Sequence, residues 1–178
     1  IKNAILAGIS SIEHGFYLTD EIIELMLKRD VFLVPTLSAV HHIVEQGTEA
    51  GIPEYGVSKA REAQEAHIKS FYNAYKAGVK IAMGTDSATP FNYHGNNALE
   101  LELMVNAGMQ PIDALVAATS RGAELMGWGD KMGQVKPDFW ADLILVSGNP
   151  VEDVRVLQNK QNIKVVLKGG EVVVDRRR

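Results

Sequence analysis

The chain contains no cysteine among its 178 residues. Disulfides and thiolate ligands are therefore excluded, and any metal site must be built from histidine and carboxylates. No apolar run is long enough to span a bilayer. The net charge is -4, and the only basic block is the terminal run 176–178. We therefore expect neither a nucleic acid nor a membrane as a partner.

The remaining composition is that of an ordinary globular protein, with 46% hydrophobic and 22% charged residues. The length is sufficient for one domain with a substantial core. No secretory signal is visible, and we expect a cytoplasmic protein, although any signal would precede Ile1. The first residues, 1–7, look like the end of a helix closed by Gly8, so we expect further chain before Ile1.

Hydrophobic patterning predicts strands that alternate with helices and then a group of short strands. Alternation of this kind is typical of a parallel sheet. Gly169-Gly170 between the last two strands predicts a hairpin. The segment 38–56 is predicted to contain a short helix and then a mobile loop. The predicted strands cover 9–14, 31–37, 80–86, 141–146, 163–167 and 171–174, and the main predicted helices cover 19–30, 58–77, 97–107, 111–118 and 120–126.

Two of the predicted strands end in side chains that can do chemistry. Ile81-Ala82-Met83 opens into Gly84-Thr85 and then Asp86, and the strand from Ile9 delivers His14. Barrel enzymes keep their chemistry at the carboxyl ends of parallel strands. One imidazole and one carboxylate at two such ends predict a metal or proton-transfer site. The alternatives are a hydrogen-bonded core histidine at position 14 and a turn-capping aspartate at position 86.

The motifs along the chain resemble those of the amidohydrolase superfamily, and within it the imidazolonepropionase-like group that includes Xaa-Arg dipeptidases and metal-dependent carboxypeptidases. They occur in one order over nearly the whole chain. They are Ile-Glu-His-Gly (12–15), Val-Pro-Thr (34–36), Met-Gly-Thr-Asp-Ser (83–87), His-Gly-Asn-Asn-Ala-Leu-Glu-Leu (94–101), Ala-Ala-Thr-Ser-Arg-Gly-Ala-Glu-Leu-Met-Gly (117–127), Gly-Gln-Val-Lys-Pro (133–137) and Ala-Asp-Leu-Ile-Leu-Val (141–146).

The resemblance implies an α/β fold in which this chain supplies strands six to eight of a (β/α)8 TIM barrel and the C-terminal strands of a small β-sandwich. The expected division is 1–132 for the partial barrel and 133–178 for the sandwich strands. His14 matches the strand-six metal ligand, and Asp86 matches the strand-eight aspartate, which binds metal and handles the proton of the attacking water. The implied cofactor is a divalent metal, most simply zinc, with one or two ions in the complete protein.

The other ligands of the family, a His-x-His pair, a bridging lysine and a further histidine, have no counterpart in this chain. The remaining histidines do not occupy the corresponding strand ends. His94 follows strand eight and either contacts substrate or holds its loop. Adjacent helical residues point to different faces, so His41 and His42 are not predicted as a ligand pair. Glu100 is assigned to helix packing rather than to catalysis.

The implied reaction is hydrolysis of a C–N bond by metal-activated water, as in a dipeptidase or a cyclic amidase, with a small molecule or dipeptide as substrate. We expect the isolated chain to be inactive and to self-associate or to pair with a complementary N-terminal segment, because open sheet edges favour association. Two alternatives remain open at this point. One is a structural unit without chemistry, and the other is a lactone or phosphotriester hydrolase on the same scaffold.

Overall fold

The computed structural model describes residues 1–177. Its first part is a short parallel sheet covered by helices, and its last part is a separate antiparallel sheet. The helices are α1 (Lys2–Leu6), α2 (Asp20–Arg29), α3 (Leu37–Gln46), α4 (Glu54–Ala77), α5 (Ala98–Asn106), α6 (Pro111–Ala118) and α7 (Ser120–Leu125), and the strands are β1 (Ser11–Glu13), β2 (Phe32–Val34), β3 (Leu143–Val146), β4 (Ile163–Lys168) and β5 (Glu171–Asp175).

The parallel sheet has three neighbouring segments. β1 pairs with β2 in parallel, with Ile12 opposite Leu33. On the other side of β2, Ile81 forms a parallel bridge with Leu33, flanked by hydrogen bonds from the Leu33 N–H to the Lys80 carbonyl (2.9 Å) and from the Ala82 N–H to the Leu33 carbonyl (3.0 Å). The predicted strand 80–86 is therefore paired only around Ile81. The carboxyl ends of all three segments lie at one edge of the sheet.

The two faces of this sheet bury different residues. Ile12, Leu33 and Ile81 belong to the main core, which the helices supply with residues such as Phe71 and Met104. The opposite face carries a small cluster of Phe32, Val34 and Ala82, with Leu125 packed against it. Because side chains alternate along a strand, the two faces are distinct: one packs against the main helical core, and the other forms a smaller cluster that only the end of α7 contacts among the residues described. That arrangement is also how the wall of a barrel is organised.

Local signals explain both ends of α2 and the end of α4. Thr19 caps α2, its Oγ1 accepting from the Ile22 N–H at 3.4 Å, and Asp30 ends that helix with φ 56°. Gly78 ends α4 with φ 92°. The predicted segment 38–56 contains α3 and the first turn of α4, which leaves only residues 47–53 as a connection. Leu37, predicted as the last residue of a strand, instead begins α3.

The antiparallel sheet has the order β3–β4–β5. Gly169 and Gly170 have φ values of 58° and 86°, as a two-residue hairpin of the primed type requires, so the predicted hairpin is confirmed. The Asp142 carboxylate accepts from the Gly169 N–H at 2.6 Å and ties the turn to the start of β3. A 3-10 helix at Val154–Leu157, which is absent from the predicted elements, buries Val154 in the main core and joins this sheet to the rest.

Candidate functional site

His14 lies one residue beyond the end of β1. Its φ is 65°, a left-handed conformation, so the alternation of strand side chains does not extend to it. The backbone N–H of His14 donates to the Val34 carbonyl at 2.8 Å. Its ring Nδ1 lies 2.6 Å from Thr36 Oγ1. The imidazole is therefore held by the end of the neighbouring strand, with Nε2 as its second ring nitrogen.

His67 holds the carbonyl of His14 from behind. This residue lies on α4 and is 1% exposed, and its Nε2 donates to the His14 carbonyl at 2.7 Å. The ring of Phe16 lies 4.1 Å from its ring, centroid to centroid. Burial lowers the pKa of His67 to about 4, and the bond to the carbonyl only partly opposes this shift. His67 is thus a neutral, buried donor near neutral pH.

Local patterns in the sequence do not mark His67 as part of the site. A signal was present, because His67, Ser70, Phe71 and Ala74 recur at helical spacing and are all buried. That pattern predicts a buried helix face. It does not reveal that the histidine meets a carbonyl 53 residues earlier in the chain.

Asp86 follows the third parallel segment and is exposed. Its φ is 52°. The carbonyl of Asp86 accepts from Thr89 Oγ1 at 2.8 Å and from Asn92 Nδ2 at 3.2 Å. The buried Asn92 amide also donates to the Thr85 carbonyl at 2.5 Å. The backbone at Asp86 is therefore fixed by its own loop, while the carboxylate is left to the solvent side.

A buried carboxylate supports the segment between these two strand ends. Glu100 is fully buried on α5, and its two oxygens accept from the N–H groups of Leu37 (2.7 Å) and Ser38 (2.8 Å). Ser38 Oγ in turn donates to the Thr85 carbonyl at 3.0 Å. The start of α3 is thus tied to the loop that carries Asp86. Burial raises the pKa of Glu100 to about 7, against the opposing effect of the two N–H donors.

Two other histidines lie at or next to a single cavity. His42 lines a largely apolar cavity of about 590 Å³ between α5, α6 and the antiparallel sheet. Burial, and then the neighbouring His41, lower the pKa of His42. His94 is exposed in the loop before α5, next to Gly95 and Asn96 of the cavity wall. Its expected contact with substrate stays a prediction.

The donor chemistry at the two strand ends suits a divalent metal but is incomplete. An imidazole nitrogen and a carboxylate are the ligands that zinc accepts in a chain without cysteine. Within residues 1–177, however, no three His, Asp or Glu side chains are grouped to hold an ion. His14 and Asp86 could therefore supply part of a coordination sphere and not all of it.

The sequence profile of the amidohydrolase family matches residues 1–173. The chain belongs to the amidohydrolase family. This confirms the relationship indicated by the ordered motifs. No helix within residues 1–177 combines the length and apolarity needed to cross a membrane.

Individual relatives agree with this assignment. Ochratoxinase from Aspergillus niger is 35% identical over 174 residues, which are 97% of this chain and 35% of that protein. Imidazolonepropionase from Thermoplasma volcanium is 29% identical over 56% of this chain and 25% of its own length. The crystal structure of a Xaa-Pro dipeptidase with methionine in its active site superposes with a TM-score of 0.86 and 38% identity, over 97% of this chain and 42% of that one.

These relatives establish an α/β amidohydrolase fold with hydrolases as neighbours. The chain spans less than half the length of each of the three. The activities of these longer relatives are therefore not assigned to this chain, except as a proposal.

Proposed function

We propose that the chain supplies strands six, seven and eight of a (β/α)8 barrel, with the barrel part at 1–132 and C-terminal sandwich strands at 133–178. The support is the three-segment parallel sheet, whose helix-covered outer face and separate inner face match a portion of a barrel wall. Three strands cannot close a barrel, which needs eight. The remaining strands would come from an N-terminal segment that pairs with the open edges.

The proposed activity is hydrolysis of a C–N bond in a dipeptide or a cyclic amide. The observation that carries it is the placement of His14 and Asp86 beyond the carboxyl ends of parallel segments in a chain of this family. The dipeptidase among the solved relatives supports an amide substrate. His14 Nε2 and the Asp86 carboxylate would be two of the metal ligands, with zinc as the simplest choice for one or two ions.

The chain's own residues have distinct roles in this proposal. A divalent metal, when bound, lowers the pKa of its water toward about 7. The Asp86 carboxylate accepts the proton of the attacking water and passes it to the leaving nitrogen, which must be protonated to depart. His94, in the loop that follows, would contact the substrate.

The test uses the complete barrel, meaning one polypeptide in which the remaining barrel strands accompany this chain. Asp86→Asn keeps the shape and removes the base, so we expect turnover to fall by about 10²–10⁴-fold. Asp138→Asn is the matched control, because Asp138 is also an exposed aspartate with a left-handed backbone (φ 68°) but lies in the connection before β3. We expect that variant to retain its turnover.

Metal content separates binding from proton transfer. His14→Asn should primarily lower the amount of metal bound per chain, which is measured by atomic emission. Any loss of turnover should follow from that loss of metal. Dipeptides, cyclic amides, lactones and a phosphotriester are assayed in parallel. Full turnover in Asp86→Asn would contradict the mechanism. Turnover of lactones or the phosphotriester alone would overturn the C–N assignment, and absence of both metal and turnover in the complete barrel would favour a structural role.

A further inference from the structure

Three atoms form a continuous hydrogen-bonded chain behind His14. The His14 Nδ1 lies 2.6 Å from the hydroxyl oxygen of Thr36, and that oxygen lies 2.7 Å from the carbonyl oxygen of Pro35. Thr36 is 3% exposed, so its hydroxyl is shielded from solvent. The direction of the two bonds can be deduced from the protons available.

A carbonyl oxygen can only accept, so the single hydroxyl proton of Thr36 goes to Pro35. The hydroxyl oxygen then has only lone pairs to offer, and the imidazole nitrogen facing it must carry a proton. We propose that Thr36 is a positioning residue that fixes His14 as the Nδ1–H tautomer and directs the lone pair of Nε2 outward. Only the use of the Nε2 lone pair as a metal ligand rests on the proposed function.

The backbone around Thr36 supports a dedicated role. Its φ of 52° is left-handed, a conformation that is strained for a β-branched residue. The conformation persists because the next two amides, of Leu37 and Ser38, are both bound by the buried carboxylate of Glu100. This strained conformation, held by the buried Glu100 carboxylate, places the Thr36 hydroxyl against the Nδ1 atom of His14.

The backbone of His14 is fixed independently of its ring. Its N–H is taken by the Val34 carbonyl, and its carbonyl is taken by His67 Nε2. These two bonds fix the position of Cα but leave the tautomer undetermined. The bond to Thr36 is the contact at Nδ1 that decides which nitrogen carries the proton.

The direct test is the tautomer itself, read by ring-nitrogen NMR of the ¹⁵N-histidine-labelled complete barrel without metal at pH 8. The His14 signal is assigned from its loss in His14→Asn. We expect the signature of a protonated Nδ1 and an unprotonated Nε2. A predominant Nε2–H form, or an even mixture, in the wild type would overturn the proposal without any further variant.

The causal test compares Thr36→Val, which removes the hydroxyl and keeps the branching, with Thr36→Ser, which restores it. Thr36→Val should lose the tautomer preference and bind zinc about 10–100-fold more weakly, the range found when a group that orients a metal ligand is removed. Thr36→Ser should return both to near wild type. Thr36→Ala serves if the valine variant does not fold.

Thr119→Val is the matched control, because the Thr119 hydroxyl also donates to a backbone carbonyl at 2.7 Å, that of Leu115 one helical turn earlier. It should leave the His14 tautomer and zinc affinity unchanged. An unaltered tautomer and zinc affinity in Thr36→Val would overturn the proposal. A correct tautomer in a complete barrel that binds no zinc would instead contradict the proposed function and leave this inference standing.

Discussion

Gly84 lies between the paired part of the third parallel segment and Asp86, and it has no room for a side chain. A Cβ on Gly84 would lie 2.5 Å from Cγ1 of Val34. Gly84 has no left-handed backbone, so the restriction is steric and not conformational. Val34 is buried and β-branched, which limits how far its methyl can move. Gly84→Ala should therefore force β2 and the segment before Asp86 apart.

Overpacking of this kind costs about 1–3 kcal/mol. Val34→Ala removes the clashing methyl and should itself cost about 1.5–3 kcal/mol through lost burial and a cavity. In the double variant, the next contact of the methyl added by Gly84→Ala is Cγ2 of Thr36 at 3.7 Å, an ordinary van der Waals distance, so its cost should nearly vanish. The two substitutions should then be less than additive by about 1–3 kcal/mol.

Urea unfolding followed by far-UV circular dichroism measures these differences, provided that the slope with denaturant is unchanged. Gly122→Ala is the control, because its Cβ would meet nothing closer than 3.6 Å and it lies within α7. It should stabilise the protein by about 0.4–1 kcal/mol. An equal cost of Gly84→Ala with and without Val34 would refute the packing of this segment against β2.

Three further predictions concern pH and assembly. Folding lowers the pKa of His67 from 6.5 to about 4, so between these pH values the unfolded chain binds more protons than the folded one. The wild type should therefore lose stability relative to His67→Gln as the pH falls from 6.5 through 4. If the two proteins showed parallel profiles of urea-unfolding free energy against pH, this prediction would be wrong. Burial raises the pKa of Glu100 from 4.5 to about 7, so the stability of the wild type relative to Glu100→Gln should decline as the pH rises across that interval. If the stability advantage of the wild type instead grew with pH, the two N–H donors would outweigh burial. The exposed apolar residues Ile144 and Val173 of the antiparallel sheet predict that the isolated chain associates at micromolar concentration, and a sedimenting monomer would count against it.

The elements of the fold follow from local signals that can be read in the sequence. Thr19 as a helix cap, Gly78 as a helix end and Gly169-Gly170 as a hairpin depend only on neighbouring residues. His14 and Asp86 were located in the same way, as polar residues directly after apolar runs. The predicted strand at 80–86 is too long. Strand pairing depends on the neighbouring segment, and this segment pairs with β2 only around Ile81.

The supports of the site could not be read from local patterns. The carboxylate of Glu100 reaches amides 62 and 63 residues away in sequence, and Thr36 meets a histidine 22 residues earlier. The sequence predicts a packing role for Glu100 and gives no sign that its carboxylate anchors the start of α3. The left-handed backbone of Thr36 is also unexpected from the sequence, because β-branched residues rarely adopt it. In the fold, Glu100 holds the amides of the two residues that follow.

The proposed zinc-dependent hydrolysis is tested most directly by comparing the purified chain with the complete barrel. Both are assayed with zinc and the same panel of dipeptides and cyclic amides. Two candidate ligands, His14 and Asp86, do not complete a catalytic zinc site, which has three protein ligands and an open position. We predict no hydrolysis by the chain alone and zinc-dependent C–N hydrolysis by the complete barrel, which Asp86→Asn lowers by about 10²–10⁴-fold. Zinc-dependent turnover by the 178-residue chain alone, or its absence from a folded complete barrel, would contradict the account.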